Sequence, residues 1–596
     1  MVSLRRRISL TLIFAGTALG GCGGKQHGGL GGVGGVGGGL GGSALGGSGG
    51  GGTGGSMASD NPLLPARVRR LTNAEYAASV FALLGVNADA AVATFPRDAT
   101  QKLGFTVNDA QIVSSVLAGQ LDTIAQQIVT SARQVGEIAF LAPCDDPVSG
   151  GETCARTFIQ SFAAKAYRRP VTTADVDPLL DLYRAVAAEG GTYADGLDFV
   201  TRAILQAPSF VYLTELGDST AESPPGKTRL TPSETASLLS YLITANPPDQ
   251  ELLDDIAAMA TADGREHHLR RLWTTDGGRA RLVRVVREWL GIDGVAELDK
   301  DSNVYPQFNT HHDAITAESI SFIDDVLQDG GSTLQELLGA DWTFINAIYG
   351  ATPEQIGAYY TDYYGLASIG PTFRRNQLDG AAGGTRVGIL NQGAFLSLFA
   401  TATGSHPVRR GVAVMRRLAC LDLPDPAELD INVVPPVPDP NMPKTTRELY
   451  AVHATDPLCK TCHQRIDNFG FAFELYDGIG AFRANRQEPV KTPTGTVMLP
   501  IDTATTVMGT GTDLDGDYAD SNALARALAS SATVRACMAR QLFRASTGHS
   551  EGSGRGAEDN FVTVWRQLPA DKQSSLMETL VAWVRSDGFV ARSTGP

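Results

Sequence analysis

Apolar residues recur at intervals of three and four along most of this chain, and that spacing constrains the fold more than any other feature. One face of an α-helix repeats every 3.6 residues, so each such segment predicts an amphipathic helix. The pattern occupies segments 152–168, 174–189, 280–291, 314–328, 408–420, 533–545 and 574–585. Strand-like sequence is clearest at 482–518, where we expect a small β-hairpin region. The sequence therefore predicts a mainly α fold.

Two helix-start signals support this interpretation. Thr72 is followed three residues later by Glu75, which is the spacing of a capping box, and an apolar run comes next. Thr231 and Glu234 repeat the spacing, with Pro232 at the first helical position. We expect a helix to begin at each of these two threonines.

The N-terminal residues predict export. Arginines 5–7 precede an apolar run, 8–19, that is too short to span a bilayer and is typical of a signal peptide over residues 1–21. The run ends in Leu-Gly-Gly-Cys22, which resembles a bacterial lipobox and implies a mature protein that is lipidated at Cys22. An ordinary signal peptide followed by a chance cysteine is the alternative.

Residues 22–59 are more than half glycine, with a few Ser, Leu and Val, so we expect them to bury no core and to form a flexible tether. A lipid on Cys22 would attach the folded part to a membrane through this tether. We therefore expect a lipid-anchored protein of the cell envelope, with the outer membrane favoured by Gly23, facing the periplasm or the cell surface. The net charge of −15 argues against nucleic acid as a partner.

A Cys-x-x-Cys-His motif is formed by Cys459, Cys462 and His463. This spacing suits one c-type haem, because the two thiols can add to the haem vinyl groups while the next imidazole binds the iron. A Cys459–Cys462 disulfide or redox-active thiol pair is the main alternative. A zinc site is a weaker one, because no second Cys-x-x-Cys pair supplies further ligands.

A sixth ligand for the haem iron is less evident from the sequence. Met498 and Met508 lie downstream in the expected hairpin region, and either could bind the iron or simply pack in the core. His453 is too close to His463 in sequence to reach the opposite haem face, so a packing or hydrogen-bonding role is favoured. Arg409 and Arg410, in Ser-His-Pro-Val-Arg-Arg-Gly, could hold haem propionates, or could belong to a solvated helix start.

Four further cysteines are expected to form disulfides, because thiols outside the cytoplasm tend to oxidise. Cys144 and Cys154 flank a turn-rich loop, Asp-Asp-Pro-Val-Ser-Gly-Gly-Glu-Thr, and are predicted to pair with each other. Cys420 and Cys537 then remain, and they could pair if the fold brings them together.

The order of several segments resembles a known family, although no single helix motif is specific. The segments are RRLTNAEYAASVFALLGV, FAAKAYRRPVTTADVDPLLDLYR, LTPSETASLLSYLITANPPDQELL to ADWTFINAIYG, RVGILNQGAFLSLFATATGSHPVRRGVAVMRRLAC to HATDPLCKTCHQRIDNFGFAFELYDGIGAFR, and VRACMARQLFRASTGH to SDGFVAR. Together they resemble the planctomycete and myxobacterial secreted cytochrome-like proteins, the PSCyt/PSD multi-block family. One departure is Asn468-Phe469-Gly470, which we expect to affect a turn beside the motif. The resemblance implies export and a cytochrome-like segment, and it supplies no reaction.

The helical spacing predicts a multi-block helical body, and the resemblance implies a C-terminal cytochrome c-like segment. The expected blocks are an N-terminal helical block (60–142), a helical block with the Cys144/Cys154 loop (143–216), a central helical block (228–350), a cytochrome-like block (385–485) and a block with the hairpin region followed by helices (486–596). The first hypothesis for function is electron transfer with an unidentified redox partner or envelope protein. A non-redox, disulfide-stapled surface binding protein and a haem-dependent oxidase or peroxidase are the alternatives.

Overall fold

The structure is a computed structural model that describes most of the chain from residue 61 to residue 594. Its gaps are 102–103, 107–111, 219–224, 307, 329–330, 346–373, 378–385, 425–435, 455–456, 484 and 550–554. The expected signal peptide (1–21), the tether (22–59) and Cys22 lie outside the described residues. Residues from Ser56 onward belong to one unit, whose described part is considered below.

Helices form most of this unit, as the apolar spacing predicts. They are α1 (Asn73–Leu84), α2 (Asp89–Val92), α3 (Ser115–Gln134), α4 (Glu137–Leu141), α5 (Gly151–Tyr167), α6 (Thr173–Ala188), α7 (Tyr193–Gln206), α8 (Pro208–Val211), α9 (Pro232–Thr244), α10 (Gln250–Asp254), α11 (Ala262–Trp273), α12 (Asp276–Leu290), α13 (Phe308–Gln328), α14 (Leu334–Gly339), α15 (Gly393–Leu398), α16 (Pro407–Ala413), α17 (Thr446–Tyr450), α18 (Pro457–Phe471), α19 (Ser521–Ser530), α20 (Ala532–Thr547), α21 (Arg555–Arg566), α22 (Leu576–Arg585) and α23 (Asp587–Val590). Short 3-10 turns cover Ile256–Ala260, Ile389–Asn391 and Ala451–Ala454.

Both predicted capping boxes are present. The Thr72 hydroxyl accepts from the backbone N–H of Glu75, and the Glu75 carboxylate accepts from the backbone N–H of Thr72. The same reciprocal pair joins Thr231 to Glu234 at the start of α9. Each box satisfies two backbone donors that would otherwise lack a partner at a helix start.

The segment predicted as one helix at 408–420 is instead divided. After α16 the chain continues as a π-helical turn, Val414–Leu418, and Cys420 adopts a left-handed conformation with φ of 49°. The wider turn leaves the Arg417 carbonyl available outside the helix, where it accepts from the Trp289 indole N–H at 2.6 Å. The apolar spacing cannot report this, because a single wide turn keeps nearly the same face buried.

Strands occur as short antiparallel pairs. They are β1 (Arg67–Arg70) with β2 (Tyr212–Glu215), β3 (Lys227–Arg229) with β10 (Ala591–Ser593), β4 (Trp342–Ile345) with β5 (Arg374–Gln377), β6 (Gln487–Thr492) with β7 (Gly495–Pro500), and β8 (Thr505–Val507) with β9 (Gly516–Tyr518). The last two pairs are local and lie in the predicted hairpin region, which is confirmed. The other three join segments that are distant in sequence, so no local pattern predicts them.

Two apolar clusters form the core of the unit. One is built mainly by α1–α8, and the other takes residues from α9 through α23, including part of α18. A buried charge cluster lies beside them, where the Glu215 carboxylate contacts Arg67 at 3.0 Å and Arg592 within hydrogen-bonding distance. Burial alone would raise the pKa of the Glu215 carboxyl, but these arginines and Arg69 outweigh it and hold the pKa well below its usual range.

The structure confirms both predicted disulfides. Cys144, in the loop before α5, is bonded to Cys154 near the start of α5. Cys420 is bonded to Cys537 of α20. The second bond ties the end of the π turn to a helix that lies 117 residues away in sequence. Among the helices in the described part of the chain, none has the combination of length and hydropathy that is needed to cross a bilayer.

Candidate haem-attachment site

The Cys-x-x-Cys-His motif lies in the first turns of α18. Cys459 and Cys462 are three residues apart within the helix, so both side chains project from one face. His463 follows Cys462 directly and lies one full turn after Cys459. All three side chains are partly exposed. The helix therefore presents two thiols and an imidazole together at the surface.

Neither motif cysteine is part of a disulfide, although the structure bonds the other two pairs of its described cysteines. Side chains at this spacing in a regular helix have Cβ atoms about 5–6 Å apart. A disulfide needs Cβ atoms about 3.5–4.5 Å apart, a separation that Cys-x-x-Cys pairs in the first turn of a helix reach with a small side-chain and backbone adjustment. The Cys459–Cys462 disulfide that the sequence left open therefore stays an alternative to haem attachment.

His463 is held by a carboxylate one turn further along α18. Its Nδ1 atom lies 2.9 Å from Oδ1 of Asp467, and Asp467 is only 4% exposed. Burial raises the pKa of the Asp467 carboxyl, and the nearby imidazole opposes that rise. A hydrogen bond from Nδ1–H to this carboxylate fixes the ring tautomer and leaves Nε2 to bind a metal.

His453, in the 3-10 turn before α18, packs directly on His463. The two ring centroids are 4.3 Å apart and the planes are tilted by 50°. Imidazoles on opposite faces of one iron have ring centroids about 6 Å apart, given metal–nitrogen bonds of about 2.0 Å. His453 therefore lies beside His463 and not in the position of a second axial ligand. Burial lowers the pKa of His453, and His463 adds to this effect.

The position of α18 is fixed by a close crossing with α16. A Cβ atom added to Gly411 of α16 would lie 1.9 Å from the carbonyl oxygen of Ile466. A Cβ atom added to Gly470 of α18 would lie 1.9 Å from the carbonyl oxygen of Pro407. Only glycine allows the two backbones to approach this closely, so the crossing sets the distance between α16 and the motif helix.

The family-specific departure at Asn468-Phe469-Gly470 was expected to lie in a turn, and this expectation is wrong. These residues form the last part of α18. The Asn468 side-chain amide donates to the Gln464 carbonyl at 2.7 Å, and Phe469 is fully buried. Two of these three helical residues are packed, Gly470 against α16 and Phe469 in the core.

Arg409 and Arg410 have different roles, and the sequence did not separate them. Arg409 is exposed, as expected for a solvated helix start. Arg410 is fully buried and donates to the carbonyls of Phe473, Tyr476 and Leu396 at 3.0–3.1 Å. The solvated interpretation is therefore wrong for Arg410, which crosslinks backbone segments around α18 and presents no exposed surface to a propionate.

Four family models match consecutive parts of this chain, and each is described as a protein of unknown function. They are PSD3 (DUF1587) at residues 69–134, PSD5 (DUF1595) at 154–215, PSD4 (DUF1592) at 230–351 and PSCyt3 (DUF1588) at 386–486. The chain belongs to the PSCyt/PSD multi-block family. No curated protein and no solved structure matches it.

The PSCyt3 block of this PSCyt/PSD protein contains both the motif and the helix crossing. It begins at Arg386, which is 2% exposed and donates to the Gly480 carbonyl at 2.8 Å, near the end of the block. The Arg386 guanidinium also lies over the Tyr476 ring, 4.6 Å from its centroid. One buried arginine thus holds the two ends of the block together.

The two candidate axial methionines of the PSCyt/PSD protein lie on its hairpins. Met498 is on β7 and is 48% exposed, and Met508 follows β8 and is 51% exposed. The β8–β9 hairpin packs on α18, where the Thr505 hydroxyl donates to the Asn468 side chain at 3.1 Å. Neither sulfur is a core group, so the packing alternative weakens for both, and iron ligation stays a prediction.

Asp467 is the site residue that sequence reasoning missed. The signal was available, because His463 and Asp467 are four residues apart, which places them on one face of a helix. The contact between His453 and His463 had no such signal, because the two residues lie ten positions apart and belong to different elements. With two thiols, an imidazole with Nε2 available and a carboxylate behind it, the residues present fit a c-type haem.

Proposed function

We propose that this chain is an exported lipoprotein that carries one c-type haem and transfers electrons at the cell envelope. The observation that carries the proposal is the arrangement on α18, where Cys459 and Cys462 share one face and His463 follows them. In a bound haem the iron would supply a one-electron redox couple.

Different residues of the chain would bind different parts of the haem. Cys459 and Cys462 would form the two thioether bonds, and His463 would bind the iron through Nε2. Asp467 would accept a hydrogen bond from Nδ1–H of His463, which orients the ring and makes it a stronger ligand. Met498 and Met508 remain the candidates for the opposite iron position.

Anchoring is proposed from the N-terminal sequence. A lipid on Cys22 and the glycine tether would keep the folded part at a membrane and free to meet a redox partner or another envelope protein. Cys22→Ser should move the protein from the membrane fraction to the soluble exported fraction. Unchanged fractionation would show that Cys22 is not the anchor.

Covalent haem attachment is tested on the full-length chain, produced in a host that has haem-attachment machinery. Denaturing gels stained for covalent haem should show a positive band for the wild type and none for the double variant Cys459→Ala/Cys462→Ala. The matched control is Cys144→Ala/Cys154→Ala, which also removes two cysteines and should stain like the wild type.

A correctly exported wild-type protein without covalent haem would overturn the electron-transfer proposal. The disulfide-stapled surface binding protein, expected as an alternative from the sequence, would then be favoured. In that case the two disulfides and the helical body would be its principal features.

A second candidate, a haem-dependent oxidase or peroxidase, is favoured by one observation. The Asp467 carboxylate on Nδ1 gives His463 anionic character, and an electron-rich axial ligand favours O–O bond cleavage. Haem-loaded protein should then oxidise a dye with peroxide, and Asp467→Asn should slow that oxidation at least tenfold. Equal rates for haem-loaded protein and free haem would exclude this activity.

A further inference from the structure

We propose that His453, His463 and Asp467 form a binding site for a divalent first-row transition metal ion such as Zn²⁺. One ligand atom from each of the three residues lies within 4.8 Å of the other two. Two of the residues come from α18 and the third from the 3-10 turn before it. The proposal does not depend on haem, because it uses neither Cys459 nor Cys462.

The donor set selects the class of metal. Two imidazole nitrogens and one carboxylate oxygen suit Zn²⁺, Co²⁺, Ni²⁺ or Cu²⁺, whereas Mg²⁺ and Ca²⁺ prefer oxygen ligands throughout. Ligand atoms around a tetrahedral zinc ion are about 3.3 Å apart, given bonds of about 2.0–2.2 Å. The Nδ1 atom of His463 and Oδ1 of Asp467, at 2.9 Å, are already near that spacing. Rotation of the His453 side chain would bring its ligand nitrogen to a similar distance from both atoms.

The unsatisfied nitrogen of His453 supports the site independently. Its Nδ1 atom is buried and makes no hydrogen bond to any described residue. An unsatisfied buried polar group costs about 1–3 kcal/mol, so a ligand that pairs with this nitrogen would recover that free energy. The ring carrying it is the one that packs on His463, and a metal ion bound there would give this nitrogen a partner.

The other two ligands are held in place before any metal arrives. His463 and Asp467 are one turn apart on α18, a spacing that presents two ligands from one helix face. Asp467 is 4% exposed, so its carboxylate has little freedom to turn to solvent. The crossing of Gly411 against Ile466 fixes the backbone immediately before Asp467. A preorganised pair of this kind lowers the entropic cost of binding.

Three protein ligands leave a position for water or an exchangeable ligand. The metal ion would take Nδ1 of His463, next to Asp467, whereas the haem iron is proposed to take Nε2. A neutral imidazole has one nitrogen with a free lone pair and one that carries the proton, so metal binding at Nδ1 would move the proton to Nε2. The metal ion and the haem iron would therefore compete for this residue.

The test uses the full-length Cys459→Ala/Cys462→Ala chain, which cannot form the thioether bonds in any host. It is titrated with Co²⁺, followed by visible absorption, and with Zn²⁺, followed by calorimetry and by the shift in Tm. We expect one ion bound per chain and a higher Tm, because a ligand that binds only the folded state stabilises it. His453→Ala and Asp467→Asn, each added to this chain, should weaken binding at least tenfold.

A matched control is His267→Ala, which removes an exposed imidazole on α11 and should leave the affinity unchanged. His453→Gln serves if the alanine variant unfolds. The proposal is overturned if the ions do not bind stoichiometrically, or if binding survives both His453 variants. A sulfur-to-cobalt charge-transfer band that appears only in the wild type would assign the metal to the cysteines instead. Haem attachment is measured on the wild type, so either proposal can fail alone.

Discussion

The Asp467 carboxylate lies 2.9 Å from Nδ1 of His463, one turn away on the same helix, and it is almost completely buried. A buried carboxylate in this position does more than orient the ring. It places a negative charge behind the ligand of any metal that binds Nε2, and so favours the more highly charged state of that metal.

The reduction potential of the haem-loaded protein should therefore respond to Asp467. Asp467→Asn removes the charge and keeps a hydrogen-bond acceptor, so we expect the potential to rise by on the order of 60 mV, equivalent to a charge-assisted hydrogen bond of about 1.5 kcal/mol in a one-electron couple. Redox titration followed by absorption measures it. Asp299→Asn, an exposed carboxylate, is the control and should leave the potential unchanged. An unchanged potential in the Asp467 variant would mean that the carboxylate only orients the ring.

The close crossing of α16 and α18 at Gly411 and Gly470 leads to a prediction about stability. Gly411→Ala should lower the free energy of unfolding by several kcal/mol, because its Cβ would lie 1.9 Å from the Ile466 carbonyl oxygen and the helices must move apart. Gly119→Ala on α3 is the matched control, since a Cβ there has no atom within 4 Å. It should be neutral or stabilise by up to about 1 kcal/mol through helix propensity. Urea unfolding measures both, and equal effects would refute the role of the crossing.

The two disulfides should contribute unequally to the free energy of unfolding. In the loop-entropy model, a bond across 117 residues contributes about 5 kcal/mol and one across 10 residues about 3 kcal/mol. Cys420→Ser/Cys537→Ser should therefore lower the denaturant midpoint more than Cys144→Ser/Cys154→Ser. Non-reducing peptide mapping of the wild type verifies both bonds first. The reverse order would show that local packing, not loop length, decides their contributions.

Breaking the buried ion pairs around Glu215 should substantially lower the free energy of unfolding. Glu215→Gln leaves Arg67, Arg69 and Arg592 without their shared counter-charge, and removing one partner of a buried ion pair costs about 3–5 kcal/mol. Glu152→Gln, which breaks an exposed pair with Arg184, should have little effect on stability because solvent screens that pair. Chemical unfolding at neutral pH compares them. A small effect at Glu215 would mean that the arginines find other acceptors.

The unfolding free energy should fall in mild acid because of His406. Burial, together with the charges of Arg409 and Arg410 and the nearby His453, lowers the pKa of His406 to about 4 from its ordinary 6.5. Between these values the unfolded chain binds the proton and the folded chain does not, so stability decreases as the pH falls from about 6.5 to about 4.

His406→Asn tests this pH dependence. Asparagine can keep the N-cap of α16, where His406 accepts from the backbone N–H of Arg409, and it does not titrate. The variant should lose stability less steeply than the wild type over that pH interval in unfolding experiments. Parallel profiles for the two proteins would assign the acid sensitivity to other groups.

Local order in this protein could be read from its sequence, and long-range order could not. The capping boxes at Thr72 and Thr231 and the hairpins at 487–518 all depend on residues a few positions apart. The pairing of Cys420 with Cys537 was reached only by elimination. The burial of Arg410 and the contact of His453 with His463 depend on how helices pack, which no spacing rule reports.

Residues at the two ends of the folded unit are hydrogen-bonded to each other. The backbone N–H of Ser593 donates to the Leu64 carbonyl, and the backbone N–H of Ala66 donates to the Ser593 carbonyl, both at 2.8 Å. During synthesis Leu64 is added to the chain hundreds of residues before Ser593. The hydrogen bonds between these two segments therefore cannot form until synthesis is almost complete. Any partly made chain therefore lacks these last hydrogen bonds, and under the export proposed above that delay would help to keep the chain unfolded for passage through a membrane pore.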